Sequence, residues 1–152
     1  MDITIRPYEP EDWPALQAIH DPARRQELHL SGLDGAFLPL SIAAEREDLF
    51  GYSVFVACLE GAAAGFVAFT PEELAWLYVR REQQRRGIGR ALAEFALAHM
   101  NAGEKTVEVL FGNDPARRLY RSLGFTREKV LTGVMPGNEA YPVRVYSMTR
   151  EG

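Results

Sequence analysis

The stretch Leu77-Tyr78-Val79-Arg80-Arg81-Glu82-Gln83-Gln84-Arg85-Arg86-Gly87-Ile88-Gly89-Arg90 changes character in its middle. Its first three residues close the apolar run Leu74–Val79, which reads as a strand. From Ile88 onward, Ile88, Ala91, Leu92, Phe95 and His99 recur at spacings of three and four. That is one face of a helix, predicted to end near Asn101-Ala102-Gly103. Between strand and helix lies a loop rich in arginine and glutamine, opening the helix at Gly87-Ile88-Gly89. The first turn of a helix carries N–H groups without intrahelical acceptors, and the macrodipole adds partial positive charge there. Glycines let an anion reach the main chain, and neighbouring arginines add charge-assisted hydrogen bonds. Pyrophosphate suits such a cradle. On this motif alone, a helix start flanked by solvated arginines is an equally good reading. No Gly-Lys-Ser/Thr is present and no complete Gly-x-Gly-x-x-Gly, which sets aside a nucleoside-triphosphate loop and a nicotinamide fold.

Upstream, Val54–Leu59 and Ala64–Phe69 are apolar runs joined at Glu60-Gly61, a hairpin signal. Pro39 to about Leu49 reads as a helix with Ser41 as a candidate cap, preceded by a loop from Ser31 to Gly35. Glu11 to about Leu30 is predicted helical, with Pro14 tolerated near its start and Pro22 a break or kink. Ile3-Thr4-Ile5-Arg6 alternates and stops at Pro7, a short first strand. Downstream, Thr106–Phe111 returns to strand character. Asp114-Pro115 predicts a helix with an acidic cap, on which Ala116, Leu119, Tyr120 and Leu123 share a face and Gly124 gives the stop. Phe125–Val134 and Tyr141–Thr149 are closing strands around Pro136-Gly137-Asn138. No repeat or linker interrupts this, so residues 1–152 are expected to form a single domain. Its class is α/β, a mixed sheet with helices packed on it, in the order β-α-α-β-β-β-α-β-α-β-β.

Charge narrows the function classes. The formal net charge of −4 argues against general nucleic-acid binding. Yet Arg80, Arg81, Arg85, Arg86 and Arg90 place five of the 17 basic residues within eleven positions, a local anion site in an acidic chain. The single cysteine, Cys58, sits in an apolar run and reads as a buried small hydrophobe. His20, His29 and His99 share no metal-ligand spacing, so no metal is expected, and His99 falls on the packed face of its helix. Trp13 and Trp76 read as core or half-buried aromatics. No run is long enough for a membrane-spanning helix and Met1-Asp2-Ile3-Thr4 lacks a signal-peptide pattern, so a cytoplasmic location without a membrane partner is expected.

Two motifs carry a resemblance. Gln84-x-x-Gly87-x-Gly89 after Leu77-Tyr78-Val79 resembles the acetyl-CoA-binding motif of the GNAT N-acetyltransferase superfamily. Asn113-x-x-Ala116-x-x-x-Tyr120-x-x-x-Gly124-Phe125 is similar to that family's later strand-helix-strand segment. Together they cover about Glu73 to Phe125; the first 50 residues match only in layout. Arg81 departs from the pattern, since relatives often carry proline there, which affects loop stiffness more than chemistry. The resemblance implies a mostly antiparallel sheet of about seven strands whose fourth and fifth strands splay around the arm of acetyl-CoA, the co-substrate. It implies that main-chain groups of Leu77, Tyr78 and Val79 meet the thioester and pantetheine arm, with the Val79 amide polarising the acetyl carbonyl. Gln84, Arg85, Arg86, Gly87, Ile88, Gly89 and Arg90 would hold the pyrophosphate, and Asn113 the arm. Asn113 reads equally well as a plain helix-start residue.

Acetyl transfer needs a neutral amine, a polarised carbonyl and a proton for the departing thiolate. Direct attack in a ternary complex requires no protein nucleophile. The resemblance gives Tyr120 the general-acid role; by spacing alone it is part of an apolar helix face. For the base, the resemblance offers Glu73, four positions before Leu77, and Glu108, five before Asn113, either of which also reads as a solvated carboxylate. Glu73 is the favoured of the two. The acceptor is expected to be a small-molecule or peptide amine, bound largely by the first two helices, which hold His20 and His29, and the last hairpin. Phe37, Tyr52 and Tyr141 line its pocket or simply pack at the surface. A noncatalytic acyl-CoA-binding sensor is the alternative reading, and the final strands allow edge pairing in a homodimer.

Overall fold

The computed structural model describes residues 2–101 and 103–152. Seven strands form one sheet: β1 (Ile3–Pro7), β2 (Ser53–Leu59), β3 (Ala62–Phe69), β4 (Glu73–Val79), β5 (Lys105–Leu110), β6 (Arg127–Met135) and β7 (Asn138–Arg150). Four α-helices connect them: α1 (Trp13–Leu30), α2 (Leu40–Arg46), α3 (Ile88–His99) and α4 (Asp114–Ser122). Spatial order is β1-β2-β3-β4-β5-β7-β6. Every neighbouring pair is antiparallel except β4 and β5, which run parallel. That pair is joined only at Glu73↔Thr106 and Leu74↔Val107, after which the strands part. The mixed, mostly antiparallel seven-stranded sheet with a splayed centre is thus present.

The helices cover both faces. On one, Ile88, Leu92, Ala93 and Ala96 of α3 pack with Val67, Phe69, Val107 and Val109 of the sheet and with Tyr120 and Phe125. On the other, Leu16 and Ile19 of α1 and Leu40, Ala43 and Ala44 of α2 cover Val54, Val56, Phe66 and Trp76. The β2–β3 turn places Glu60 at φ 52 and Gly61 at φ 81, the paired left-handed conformations a two-residue hairpin loop favours.

Four expectations shift. Helix α1 runs through Pro22 without a break. Proline's own φ is helical, and burial of Ile19, Ala23 and Leu28 offsets the one lost backbone bond. Ser41 does not cap α2; the N-cap is Pro39, and Asp21 Oδ1 accepts the Leu40 N–H at 2.9 Å, tying α2 to α1. The cap of α4 is Asn113 rather than Asp114, its Oδ1 accepting the Ala116 N–H at 3.4 Å. His99 is exposed, stacked on Phe95 at the last turn of α3. Ala102, in the expected helix stop, lies outside the described residues. Cys58 is buried, as is Trp76.

One contact sets the spacing of β3, β4 and α3. A Cβ at Gly65 would lie 2.8 Å from the Tyr78 carbonyl oxygen and 3.0 Å from Leu92 Cδ1. Gly65→Ala is expected to destabilise by about 2 kcal/mol, a fall of roughly 4–8 °C in Tm. An unchanged melting curve would show that this approach is not constrained.

Candidate acyl-transfer site

The bonding of β4 determines what its edge presents. The Arg80 N–H donates to the Ala64 carbonyl at 2.7 Å, making Ala64 and Arg80 a hydrogen-bonded pair. Antiparallel pairs alternate, so at Val79 and Leu77, opposite Gly65 and Val67, the main-chain groups point away from β3. They face the gap where β5 has departed. The Val79 carbonyl accepts from Gln84 Nε2 at 3.3 Å, and its N–H is turned toward the same gap. Tyr78 differs: its main-chain groups bond to β3, and only its side chain reaches the site.

A bulge then reassigns one carboxylate. Ala68 pairs with Trp76 and Phe69 with Leu74, leaving Ala75 as an extra residue in β4. The alternation reverses there. Leu74 packs on the α3 face with Leu77 and Val79, while Glu73 comes to share the α1 face with Trp76 and Tyr78.

Two cavities result. One of about 430 Å³ lies against the end of β4, the start of α3 and α4, lined by Leu77, Val79, Gln84, Gly87, Gly89, Asn113 and Tyr120 among others. The other, about 450 Å³, lies under α1, α2 and the β6–β7 turn, lined by His20, Arg24, Glu47, Tyr52, Glu73 and Glu139 among others. Leu74, Ala75, Tyr78 and Glu108 line both, so the cavities meet at the splay.

The loop at the mouth of the first cavity has the form an anion needs. Arg85 is held at φ 66 and Gly87 at φ 82, both left-handed, which turns the chain into α3. A Cβ at Gly87 would meet nothing within 4 Å, so that face is open. Ile88, Gly89 and Arg90 form the first turn of α3, with N–H groups that have no intrahelical acceptor. Arg85, Arg86 and Arg90 are exposed around it, and Arg90 also donates to Ser122 Oγ at 2.6 Å. Arg80 is turned back onto the Ala63 carbonyl and belongs to the sheet edge. Open glycine, first-turn donors and guanidinium groups fit a pyrophosphate. The parted strands fit an extended arm that reaches inward from it.

Tyr120 is 6% exposed, edge-on to Phe125 at 5.8 Å between centroids, and lines the first cavity. Its hydroxyl has no partner among the described residues. Burial, and secondarily the charge of Glu27, pushes its pKa well above that of an ordinary tyrosine. Glu27 itself was not legible in the sequence. Its Oε1 accepts from Tyr78 Oη at 2.9 Å and from Arg24, and its Oε2 accepts from Asn113 Nδ2 at 3.3 Å. One carboxylate on α1 therefore bridges to β4 and to the cap of α4 across the splay. The only local hint was the Arg24–Glu27 spacing of three, a common helix-surface pair.

Glu73 is half-buried and Glu108 exposed, both lining the second cavity. Desolvation, then the like charge of Glu108, raises the Glu73 pKa. Of the aromatic candidates, Tyr52 lines this cavity. Phe37 instead sits under Arg25, with the guanidinium carbon 3.7 Å from its ring centre, and Tyr141 donates to the Gly35 carbonyl at 2.8 Å. His20 lines the cavity too, whereas His29 pairs with Asp34 at the surface. Among the described residues no cluster of potential metal ligands occurs, and no helix is long and apolar enough to cross a membrane.

Comparison with known proteins agrees with this geometry. The family model described as "Acetyltransferase (GNAT) domain" matches residues 50–127, just over half of the chain. An N-alpha-acetyltransferase of Saccharolobus solfataricus is 28% identical over 124 residues, 68% of this chain and 74% of that protein. The solved GCN5-related N-acetyltransferase of Rhodopseudomonas palustris superposes with a TM-score of 0.80 at 22% identity, covering 98% of this chain and 95% of that one. The PaiA N-acetyltransferase of Thermoplasma acidophilum, solved in complex with coenzyme A, gives a TM-score of 0.72 at 19% identity and covers 100% of each chain. The two superpositions show the fold; the family match covers the loop, the splay and the Tyr120 helix together, and the chain belongs to the GNAT acetyltransferases, as an acetyl-CoA-dependent N-acyltransferase.

Proposed function

We propose that this protein transfers an acetyl group from acetyl-CoA directly to the primary amine of a small molecule or peptide, within a ternary complex. The observation that carries this reading is the meeting of the two cavities at the splay, with Tyr120 on one side and Glu73 on the other. Acetyl-CoA supplies an activated thioester. The first-turn amides of α3 and the loop arginines bind its pyrophosphate, and the main-chain groups of Leu77 and Val79 align its arm. The Val79 N–H polarises the acetyl carbonyl. Glu73 accepts the proton of the acceptor ammonium, so that a neutral nitrogen attacks as the carbon–sulfur bond breaks. Tyr120 gives its proton to the departing sulfur and regains one as the acetylated nitrogen sheds its second proton to become the neutral amide. Its unpartnered hydroxyl, kept protonated by burial, is free to donate, and the raised pKa of Glu73 makes it a better base than an ordinary glutamate.

The same reading takes the 152 residues as one domain acting in the cytoplasm. It also takes β6, an edge strand with Val130 and Val134 about half exposed at 50% and 53%, as the surface for pairing with a second copy. Light scattering that gives a monomer at every concentration would remove the pairing. For the activity, the chain is incubated with acetyl-CoA and a panel of amines and peptides. Release of free CoA with the mass of an acetylated product is expected. Tight CoA binding without turnover on any amine would favour a noncatalytic sensor.

A further inference from the structure

The acceptor cavity is rich in groups that only accept. Glu47, Glu73, Glu108 and Glu139 face it against two arginines, Arg24 and Arg46. Arg24 is paired with Glu27, outside this count. Arg46 donates to the Gly137 carbonyl at 2.8 Å on the rim and lies within ion-pair distance of no carboxylate among the described residues. The tip of the β6–β7 turn closes this end tightly, since a Cβ at Gly137 would lie 3.2 Å from Glu47 Cγ. The Gly137 N–H in turn holds Glu139 Oε2 at 2.9 Å, so the turn brings Glu139 to the same end as Glu47.

His20 is an independent sign of what binds. It is 2% exposed and lines the same cavity, edge-on to Tyr78 with centroids 4.9 Å apart. Its Nδ1 lies 2.8 Å from Asp21 Oδ1. A carboxylate can only accept, so Nδ1 carries the proton and Nε2 presents a lone pair. Nε2 has no partner among the described residues. Burial, opposed by Asp21, lowers the His20 pKa and keeps the ring neutral. A ligand with several N–H donors would satisfy it.

We propose that the acceptor is a small aliphatic amine bearing a second cationic group, which seats between Glu47 and Glu139 while the reacting amine reaches Glu73, with His20 accepting an N–H from the bound molecule. This rests on the acyl-transfer reading and adds the substrate class. Consistent with an unmatched carboxylate, Glu47 is pushed up to about 7 by burial, with Glu139 adding to the shift and Arg24 opposing it. A bound ammonium would supply the missing charge.

The test compares cadaverine, pentylamine and 5-aminopentanoate as acceptors for the full chain with acetyl-CoA. These probes share a five-carbon skeleton and a primary amine, and end in a cationic, an apolar or an anionic group. Cadaverine is expected to exceed pentylamine by about tenfold or more in kcat/KM, with 5-aminopentanoate below both. Glu47→Gln and Glu139→Gln should each collapse the cadaverine-to-pentylamine ratio, chiefly through KM, with melting curves confirming that both fold. Preference for 5-aminopentanoate, or a ratio unmoved in both variants, overturns the proposal while leaving acyl transfer standing. Where no amine turns over, calorimetric titration of cadaverine in the presence of CoA decides. Binding lost in Glu47→Gln supports the dication site although the transfer reading fails; no binding to the unaltered chain overturns the proposal.

Discussion

Tyr120→Phe is expected to lower kcat by roughly two to three orders of magnitude and to leave the Kd for CoA within about twofold, the size of effect a positioned general acid has. The substitution removes one heavy atom, which has no partner among the described residues. No buried group is orphaned, and the edge-on contact with Phe125 survives, so folding is expected to be unaffected. The raised Tyr120 pKa has a definite sign. The phenol stays protonated across the working range, so it is available as a donor at every assay pH and imposes no basic limb of its own below an ordinary tyrosine's range. The discriminating measurement uses a thioester whose leaving thiol is more acidic. Such a thiolate needs less help in departing, so the defect should shrink with it. A defect equal for both thioesters would assign Tyr120 to packing, and an unchanged kcat would remove it from the mechanism.

What could be read from the sequence was what is fixed within a few residues. The change of period between Val79 and Ile88, together with the glycines at the helix start, defines the anion loop without reference to the rest of the chain. At the start of α4 the adjacent Asn113 and Asp114 are both good caps, and only the fold chooses Asn113. Pro22 locally favours an interruption of α1, and packing against the sheet outweighs that preference. The bulge at Ala75 depends on how β4 registers with β3, which no local pattern reports. Uninterrupted alternation would have put Glu73 on the face of Leu77, away from the acceptor side. The role of Glu27 is hidden from the sequence for a related reason. Its partners Tyr78 and Asn113 lie 51 and 86 positions away, and a carboxylate on a helix surface carries no mark of such a role. Glu47, His20 and Glu139 likewise converge only when α1, α2 and the last hairpin close over the sheet.

Glu73→Gln is expected to lower kcat/KM by about a hundredfold or more, the lower range for loss of a general base. The pH profiles separate it from Glu108. As the proposed base Glu73 must be ionised to act, so its titration is expected to set the acidic limb, and the raised pKa places that limb above the ordinary glutamate range. Part of the rise comes from the charge of Glu108. Glu108→Gln should therefore move the limb to lower pH while reducing the plateau far less, and Glu73→Gln should abolish the limb. The opposite pattern, with the plateau lost in Glu108→Gln and the limb unmoved in Glu73→Gln, would exchange their roles. Stability provides the control. An acid whose folded pKa exceeds its unfolded one binds more protons when folded, so its contribution to stability falls as pH rises from the unfolded value through the folded one. At neutral pH the ionised Glu73 is thus a liability to the fold. Glu73→Gln is expected to melt no lower than the unaltered protein there. A large loss of turnover in a protein of equal or higher Tm would place the defect in proton removal from the amine.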